Sequence, residues 1–150
     1  MGDPVRDRPL FTGSADHSLD DKGRLVVPAR FRERLGAGFF LTISDPDPCL
    51  ALYAASSWAE VCARIEAAPL KDARYRAFVR HLFAHTEELN CDAQGRLVIP
   101  AALRTWAEIE KDVVSIGSLN RVEIWARDRY DRHLKDRGDL PDFATELGLF

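Results

Sequence analysis

The sequence predicts an α+β, β-rich fold made of two tandem copies of one small module, related by a pseudo-two-fold repeat and flanked by short helices. Three observations predict it: an internal repeat, a strand–turn–strand pattern at the start of each copy, and a helical segment joining the copies. Residues 20–32 read D-D-K-G-R-L-V-V-P-A-R-F-R and residues 92–104 read D-A-Q-G-R-L-V-I-P-A-A-L-R, with 8 of 13 positions identical at an offset of 72. A dense ungapped match at fixed spacing is the mark of a duplicated unit. The offset holds downstream, where Leu50-Ala51-Leu52-Tyr53 falls on Val122-Glu123-Ile124-Trp125 and Trp58 falls on Tyr130. The organisation expected is a first module at 11–68, a connecting helix at 69–83, a second module at 84–140, and flexible termini at 1–10 and 141–150. Each module alone is marginal in size, so a fused pair burying one shared core is the stable solution.

Within each copy a short strand (15–19; 87–91) runs into a D-x-x-G-R turn and a second strand (25–27; 97–99) rich in branched residues. Pro28 and Pro100 then suit the first turn of a short helix, where a missing N–H costs nothing. That helix carries Phe31 and Leu35 in the first copy, Leu103 and Trp106 in the second. Two further strands follow (39–44 with 50–53; 113–116 with 122–125), linked by the turn signals D-P-D-P and Gly117–Asn120. Ser57-x-x-Glu60 has the pattern of a capping box and predicts a helix start, with Trp58, Val61, Cys62 and Ile65 on one face. After Pro69, Tyr75, Phe78, Val79, Leu82 and Phe83 recur at the spacing of one buried helical stripe. The ends, 1–10 and 138–150, show no clear periodicity.

Composition narrows the classes. The hydrophobic fraction is 46%, ordinary for a globular chain. Three well-separated cysteines, Cys49, Cys62 and Cys91, make neither a disulfide framework nor a zinc spacing. They fit a reducing cytoplasm. No apolar run approaches membrane-spanning length and no secretory leader pattern opens the chain. Net charge is −3, so a nucleic-acid role must rest on where the charges sit. Lys22, Arg24, Arg30, Arg32 and Arg34 face one acid between 22 and 34, and Lys71, Arg74, Arg76 and Arg80 face one between 71 and 80.

The doubled turn carries the chemistry. Gly23 and Gly95 permit a positive φ, and Arg24 or Arg96 is held beside the reversal. A guanidinium there donates two parallel hydrogen bonds to a phosphate or to guanine O6 and N7. Lys22 adds a flexible charge. Two readings stand for Asp20–Arg24 and Asp92–Arg96: ion pairs that close a turn, or carboxylates that aim a guanidinium at DNA. Repetition favours the second, and the two are compatible. Arg32 and Arg104, equivalent in the repeat, either reach DNA or are solvated residues of the short helix. Enzymatic chemistry has little support. His81 and His85 lack the H-E-x-x-H glutamate, and Glu87 and Glu88 point to opposite faces of a strand. No phosphate-binding or nucleophile-elbow motif occurs. No cofactor and no metal site are expected. Cys91 matches Leu19 and reads as a small buried residue.

These motifs together, L-D-D-K-G-R-L-V-V-P-A-R-F-R after L-F-T-G and D-A-Q-G-R-L-V-I-P about 70 residues later, resemble the MraZ family over residues 10–135. The resemblance implies tandem AbrB/SpoVT-like modules forming a swapped-hairpin β-barrel. It implies a cytoplasmic, nucleoid-associated transcriptional regulator of the division and cell-wall gene cluster. Such a regulator binds short tandem G-rich repeats in double-stranded promoter DNA as a ring homo-oligomer, an octamer or a dodecamer, without membrane or cofactor. The family's D-x-x-x-R motif falls on Asp20 with Arg24 and on Asp92 with Arg96, and Lys22 matches its basic residue. Two departures stand out: Met1–Pro9 precede the usual start near Phe11, and Gln94 replaces the lysine in the second turn. The first turn is therefore expected to be the main contact. The alternative is an antitoxin-like protein-interaction module on the same scaffold.

Overall fold

The computed structural model describes residues 9–135 and 140–149. The first copy contributes β1 (Ser14–Ser18), β2 (Arg24–Val26), α1 (Ala29–Leu35), β3 (Phe39–Ile43), β4 (Leu50–Tyr53) and α2 (Ala55–Glu66). A connecting helix α3 (Ala73–Ala84) leads to β5 (Glu87–Leu89), β6 (Arg96–Val98), α4 (Ala101–Trp106), β7 (Asp112–Ser118), β8 (Arg121–Ala126) and α5 (Arg127–Leu134). A last helix, α6, spans Leu140–Glu146. The architecture is the predicted α+β pair of tandem modules.

The two copies are interwoven. A six-stranded sheet runs in the order β1-β7-β8-β4-β3-β5, and β2 pairs with β6 in a separate two-stranded ribbon. The first strand of each copy thus joins the other copy's hairpin: β1 pairs antiparallel with β7 (Ser14 opposite Ile116), and β5 with β3 (Leu89 opposite Phe39). The register shows the pseudo-two-fold. Across the β4–β8 seam Ala51 faces Glu123, and across the ribbon Leu25 faces Leu97. Both are pairs of repeat-equivalent residues, so the axis passes through both points.

Local sequence explains these elements. In β2 and β6 the triplet Arg-Leu-Val alternates half-buried, buried and exposed, the period-2 signature of a strand with one covered face. Pro28 and Pro100 hold extended backbone (ψ 138° and 144°) at the N-caps of α1 and α4. Each ends a strand and opens a helix, because proline fixes φ and donates no hydrogen bond. The central core draws on both copies: Leu25, Val27, Phe31 and Leu35 pack in one cluster with Leu97, Ile99, Leu103 and Ala107. Fully burying such a side chain stabilises by about 1.5–3 kcal/mol, and either copy alone would lose half of each contact. Tyr53 lies tilted against Trp58 with ring centres 5.5 Å apart, and the equivalent pair, Trp125 and Tyr130, is tilted alike at 5.7 Å.

Three expectations need correction. Ser57-x-x-Glu60 does not open α2. The helix follows β4 directly with Ala54 at its N-cap, and Ser57 is buried inside it, because the chain turns off the sheet sooner than the side-chain pattern suggests. The connecting helix does follow Pro69 but begins at Ala73 rather than at 69, since Asp72 caps it by accepting the Tyr75 amide at 3.0 Å. Its apolar stripe is only partly buried: Tyr75, Val79 and Leu82 are half-buried, with Leu82 against the core, while Phe78 and Phe83 remain 53% and 40% exposed. One edge of a single chain cannot cover both flanks of a helix. In the C-terminal segment, Leu140–Glu146 form α6, none of whose residues is buried. Residues 1–8 and Phe150 lie outside the described residues. The helix α5 was not anticipated, since its sequence is strongly polar.

Candidate nucleic-acid interface

Each D-x-x-G-R turn is closed by its aspartate. Asp20 Oδ1 accepts the amides of Lys22 and Arg24, both at 2.9 Å, and the Gly23 amide donates to the Asp20 carbonyl at 3.0 Å. Asp20 Oδ2 accepts Arg24 Nε at 2.6 Å. The second turn repeats this. Asp92 Oδ1 accepts Gln94 and Arg96 amides at 3.0 and 2.9 Å, and Oδ2 accepts Arg96 Nε at 2.8 Å. Both carboxyls are held below the usual carboxylate range, first by the amide of the following arginine and also by its guanidinium. A carboxylate that accepts several N–H bonds favours its charged form. Exposed ion pairs add little stability, so the chief effect of this one is to fix where the guanidinium points.

Because Nε is the atom engaged, Arg24 keeps both terminal nitrogens without a partner among the described residues. Arg96 differs: its Nη2 donates to Gln94 Oε1 at 3.2 Å. Lys22, at the place of Gln94, is exposed and makes no such contact. The two arginines lie on one face. In the ribbon Arg24 faces Val98 and Val26 faces Arg96, while Leu25 and Leu97 turn inward and are buried. The outward face therefore carries two guanidiniums on one diagonal and two exposed valines, 53% and 52% exposed, on the other. Diagonal neighbours in an antiparallel pair stand roughly 7–8 Å apart.

The turns are also locked to each other. Val27 donates its amide to the Gly95 carbonyl and Ile99 to the Gly23 carbonyl, both at 3.0 Å. Gly23 and Gly95 adopt φ +73° and +76° and are buried. Arg104 packs its guanidinium on Gly23, and Arg32 packs on Gly95 while donating Nη1 to the Val27 carbonyl at 3.0 Å. Arg32 and Arg104 are thus half-buried behind the opposite copy's turn, and Arg104 Nε is buried without a hydrogen-bond partner. The structure brings Asp20, Gly23, Arg24, Asp92, Gly95, Arg96, Arg32 and Arg104 into one pseudo-symmetric unit with Lys22 at its rim.

One residue escaped sequence reasoning. His17 in β1 bridges the sheet to the ribbon, its Nδ1 lying 3.2 Å from the Val26 carbonyl and its Nε2 2.6 Å from Ser115 Oγ. Burial pushes its imidazole below the ordinary value. Its repeat equivalent is Leu89, so the repeat gave no signal for it.

An open groove of about 710 Å³ between α4 and α5 is lined by opposed charges, with Arg129 paired to Glu108 at 3.1 Å and Arg127 to Asp16 and Asp131. His85 closes α3, its Nδ1 2.8 Å from the His81 carbonyl. No group of three or more metal-ligating side chains occurs among the described residues. All three cysteines are free, and burial pushes the Cys49 thiol up to about 12. Cys91 is half-buried against the core rather than fully buried. No helix among the described residues is long and apolar enough to cross a membrane.

Comparison with known proteins gives the family. A sequence model of the MraZ protein family, which carries an antitoxin-like description, matches twice, at residues 10–81 and 82–146. The chain is 42% identical over 137 residues to the transcriptional regulator MraZ of Moorella thermoacetica, covering 91% of this chain and 95% of that one. It is 44% identical over 124 residues to the protein of the same name from Desulforamulus reducens, covering 83% and 87%. For that of Clostridium tetani identity is 38% over 143 residues, covering 93% and 100%. With a duplicated turn, an interwoven pair of modules and these matches along nearly its whole length, the chain belongs to the MraZ family.

Proposed function

We propose that the protein is a transcriptional regulator, not an enzyme, that binds double-stranded promoter DNA through the β2–β6 ribbon and its two turns. It recognises short tandem G-rich repeats upstream of the division and cell-wall gene cluster as a ring-shaped homo-oligomer, in the cytoplasm and at the nucleoid. The observation that carries the reading is the pair of carboxylate-oriented guanidiniums, Arg24 and Arg96, on one exposed face. A two-stranded ribbon fits the major groove, and arginine there pairs bidentately with guanine. Arg24, whose terminal nitrogens have no partner among the described residues and which lies beside exposed Lys22, is the main contact. Arg96 contributes less, because Gln94 occupies one of its donors. Arg32 and Arg104 act as positioning residues that hold the opposite turn. The names of the relatives, transcriptional regulators, support the same reading.

Net charge does not oppose it. A small basic loop on an acidic chain binds weakly at cellular salt, and several loops engaging spaced repeats on one DNA multiply their affinity through effective concentration. The test is binding to a duplex carrying tandem G-rich boxes from upstream of the gene, against a scrambled duplex, over a salt series. The expected result is a preference for the boxes with affinity falling steeply as salt rises. Equal affinity for both duplexes at every salt concentration would overturn the reading. An antitoxin-like interaction module is the second reading, favoured by the exposed apolar residues of α6. A stoichiometric foreign protein recovered with the chain, together with no DNA preference, would replace the first reading by the second.

A further inference from the structure

The outward face of the β2–β6 ribbon carries two apolar side chains beside its guanidiniums. Val26 and Val98 are 53% and 52% exposed, while Leu25 and Leu97 turn inward and are buried. A single exposed valine is ordinary, and branched residues suit a strand. These two are set apart by their place. The register puts Val98 opposite Arg24 and Val26 opposite Arg96, so each guanidinium has a valine of the other copy as its cross-strand neighbour. Both pairs are of the close kind. The ladder bonds run from the Val27 amide to Gly95 and from the Ile99 amide to Gly23, whereas the amides of Arg24 and Arg96 turn away to the carboxylates of Asp20 and Asp92. Arg24–Val98 and Val26–Arg96 are therefore non-hydrogen-bonded pairs, the kind whose side chains stand nearest, roughly 4.5–5.5 Å between Cβ atoms. Asp20 and Asp92 also hold each Nε, at 2.6 and 2.8 Å. An arginine tied back to its turn projects less far past a short neighbour than an extended one.

We propose that Val98 and Val26 read thymine: each packs on the 5-methyl group of a thymine in the base pair next to the guanine met by the arginine opposite it. This contact rests on the promoter-binding reading and adds to it a second base feature and the residues that recognise it. The thymine methyl is the one apolar group that unmodified base pairs present in the major groove, and apolar side chains are its match. Valine has no donor or acceptor to offer a phosphate or a base edge, so on a groove-facing surface its gain comes from apolar cover. Contacts to base edges carry sequence information, which contacts to phosphate do not. Base pairs stack about 3.4 Å apart along each strand, so side chains that stand side by side on the ribbon span neighbouring pairs. Guanidinium and valine thus form one reading unit, supplied twice by the pseudo-two-fold. Arg24 is the stronger of the two arginines, so Val98 is the more important valine. The second copy then shares in the reading at the first turn, although Gln94 engages its own arginine.

The test uses the full chain and three duplexes: the tandem-box duplex, a scrambled one, and a copy of the first in which uracil replaces every thymine of the boxes and of their flanking base pairs. That replacement removes the 5-methyl groups and keeps every hydrogen-bonding group. Competition binding is measured for wild type, V98S and V26S/V98S, with assembly size followed on the same samples. Wild type is expected to bind the uracil duplex about fourfold or more weakly than the thymine duplex, the scale of one buried methyl group. V98S is expected to lose most of that difference and V26S/V98S all of it. The wild-type comparison needs no variant, so a misfolded variant leaves the test standing. Preference for the boxes over the scrambled duplex, with no effect of uracil on wild type, would overturn the valine contact and leave the promoter-binding reading in place. No preference for the boxes would overturn both. A uracil effect that persists undiminished in V26S/V98S at unchanged assembly size would assign the methyl groups to other residues and overturn the proposal as well.

Discussion

Arg104 lies against Gly23 so closely that a Cβ on that glycine would stand 2.9 Å from the guanidinium carbon. The relationship crosses the repeat, since the helix of the second copy shapes the turn of the first, and Arg32 and Gly95 repeat it in reverse. It predicts that Gly23→Ala is destabilising by about 1–3 kcal/mol, from left-handed strain combined with overlap. Part of that loss depends on Arg104. In an Arg104→Ala background the same glycine change is expected to cost measurably less, a coupling that chemical denaturation of the four cycle members would reveal. Strict additivity would contradict the contact.

Asp20→Ala separates orientation from bulk charge. Removing an acid makes the surface more positive and should strengthen binding that is merely electrostatic. Here Asp20 aims Arg24 through Nε, so the expected outcome is a loss of about tenfold or more in preference for the specific duplex, a scale consistent with the 1–3 kcal/mol of one bidentate base contact. Competition binding against scrambled DNA measures it. The Asp20 carboxyl is held below its ordinary value, chiefly by the Arg24 amide. Its contribution is therefore full above the ordinary carboxylate range and is lost only as pH falls through the depressed value. Its part in DNA preference should stay flat from about pH 8 to about pH 5.

His17 supplies a different pH dependence. Burial lowers its pKa from 6.5, against the opposing effects of the Val26 carbonyl and Asp16. As pH falls through 6.5 the unfolded chain takes up the proton first, so stability is highest above that value and declines below it. Thermal melts between about pH 7.5 and about pH 5.5 should show this decline in wild type and a shallower one in His17→Gln. Parallel curves would remove His17 from the account.

Gln94→Lys restores in the second turn what Lys22 supplies in the first, and releases Arg96 Nη2 from its contact. Affinity is expected to rise at low salt and the salt dependence to steepen, by about 0.9 in the log–log slope for each added phosphate contact. An unchanged slope would mean that the second turn does not meet the backbone.

The doubled turn was legible because its chemistry is local. An aspartate four residues before an arginine, with glycine between, closes on itself whatever surrounds it, and the repeat exposed both copies. The paired modules were legible too, from the offset and from the resemblance it carried. What lay beyond reach was tertiary. No local pattern says that Arg32 and Arg104 pack behind the opposite turn, since that depends on the β2–β6 register. His17 gave no signal because its partners, Val26 and Ser115, are distant in sequence or in the other copy. The α3 stripe was read correctly as apolar, but the chain covers only part of it, Tyr75, Val79 and Leu82 being half-buried and Phe78 and Phe83 exposed, because periodicity reports a face that wants cover and not how much of it the same chain covers. In α6 the stripe of Leu140, Phe143 and Leu147 is too short for periodicity to stand out.

The proposed DNA contact stands or falls with Arg24, oriented by Asp20. The most direct measurement is the affinity of wild type, Arg24→Ala and Arg96→Ala for the tandem-box duplex at one fixed salt concentration, with assembly size determined on the same samples. Arg24→Ala is expected to abolish preference for the boxes and Arg96→Ala to weaken it less, with assembly size unchanged in both. Undiminished preference in Arg24→Ala at unchanged size would contradict it and leave Asp20–Arg24 as a pair that only closes a turn.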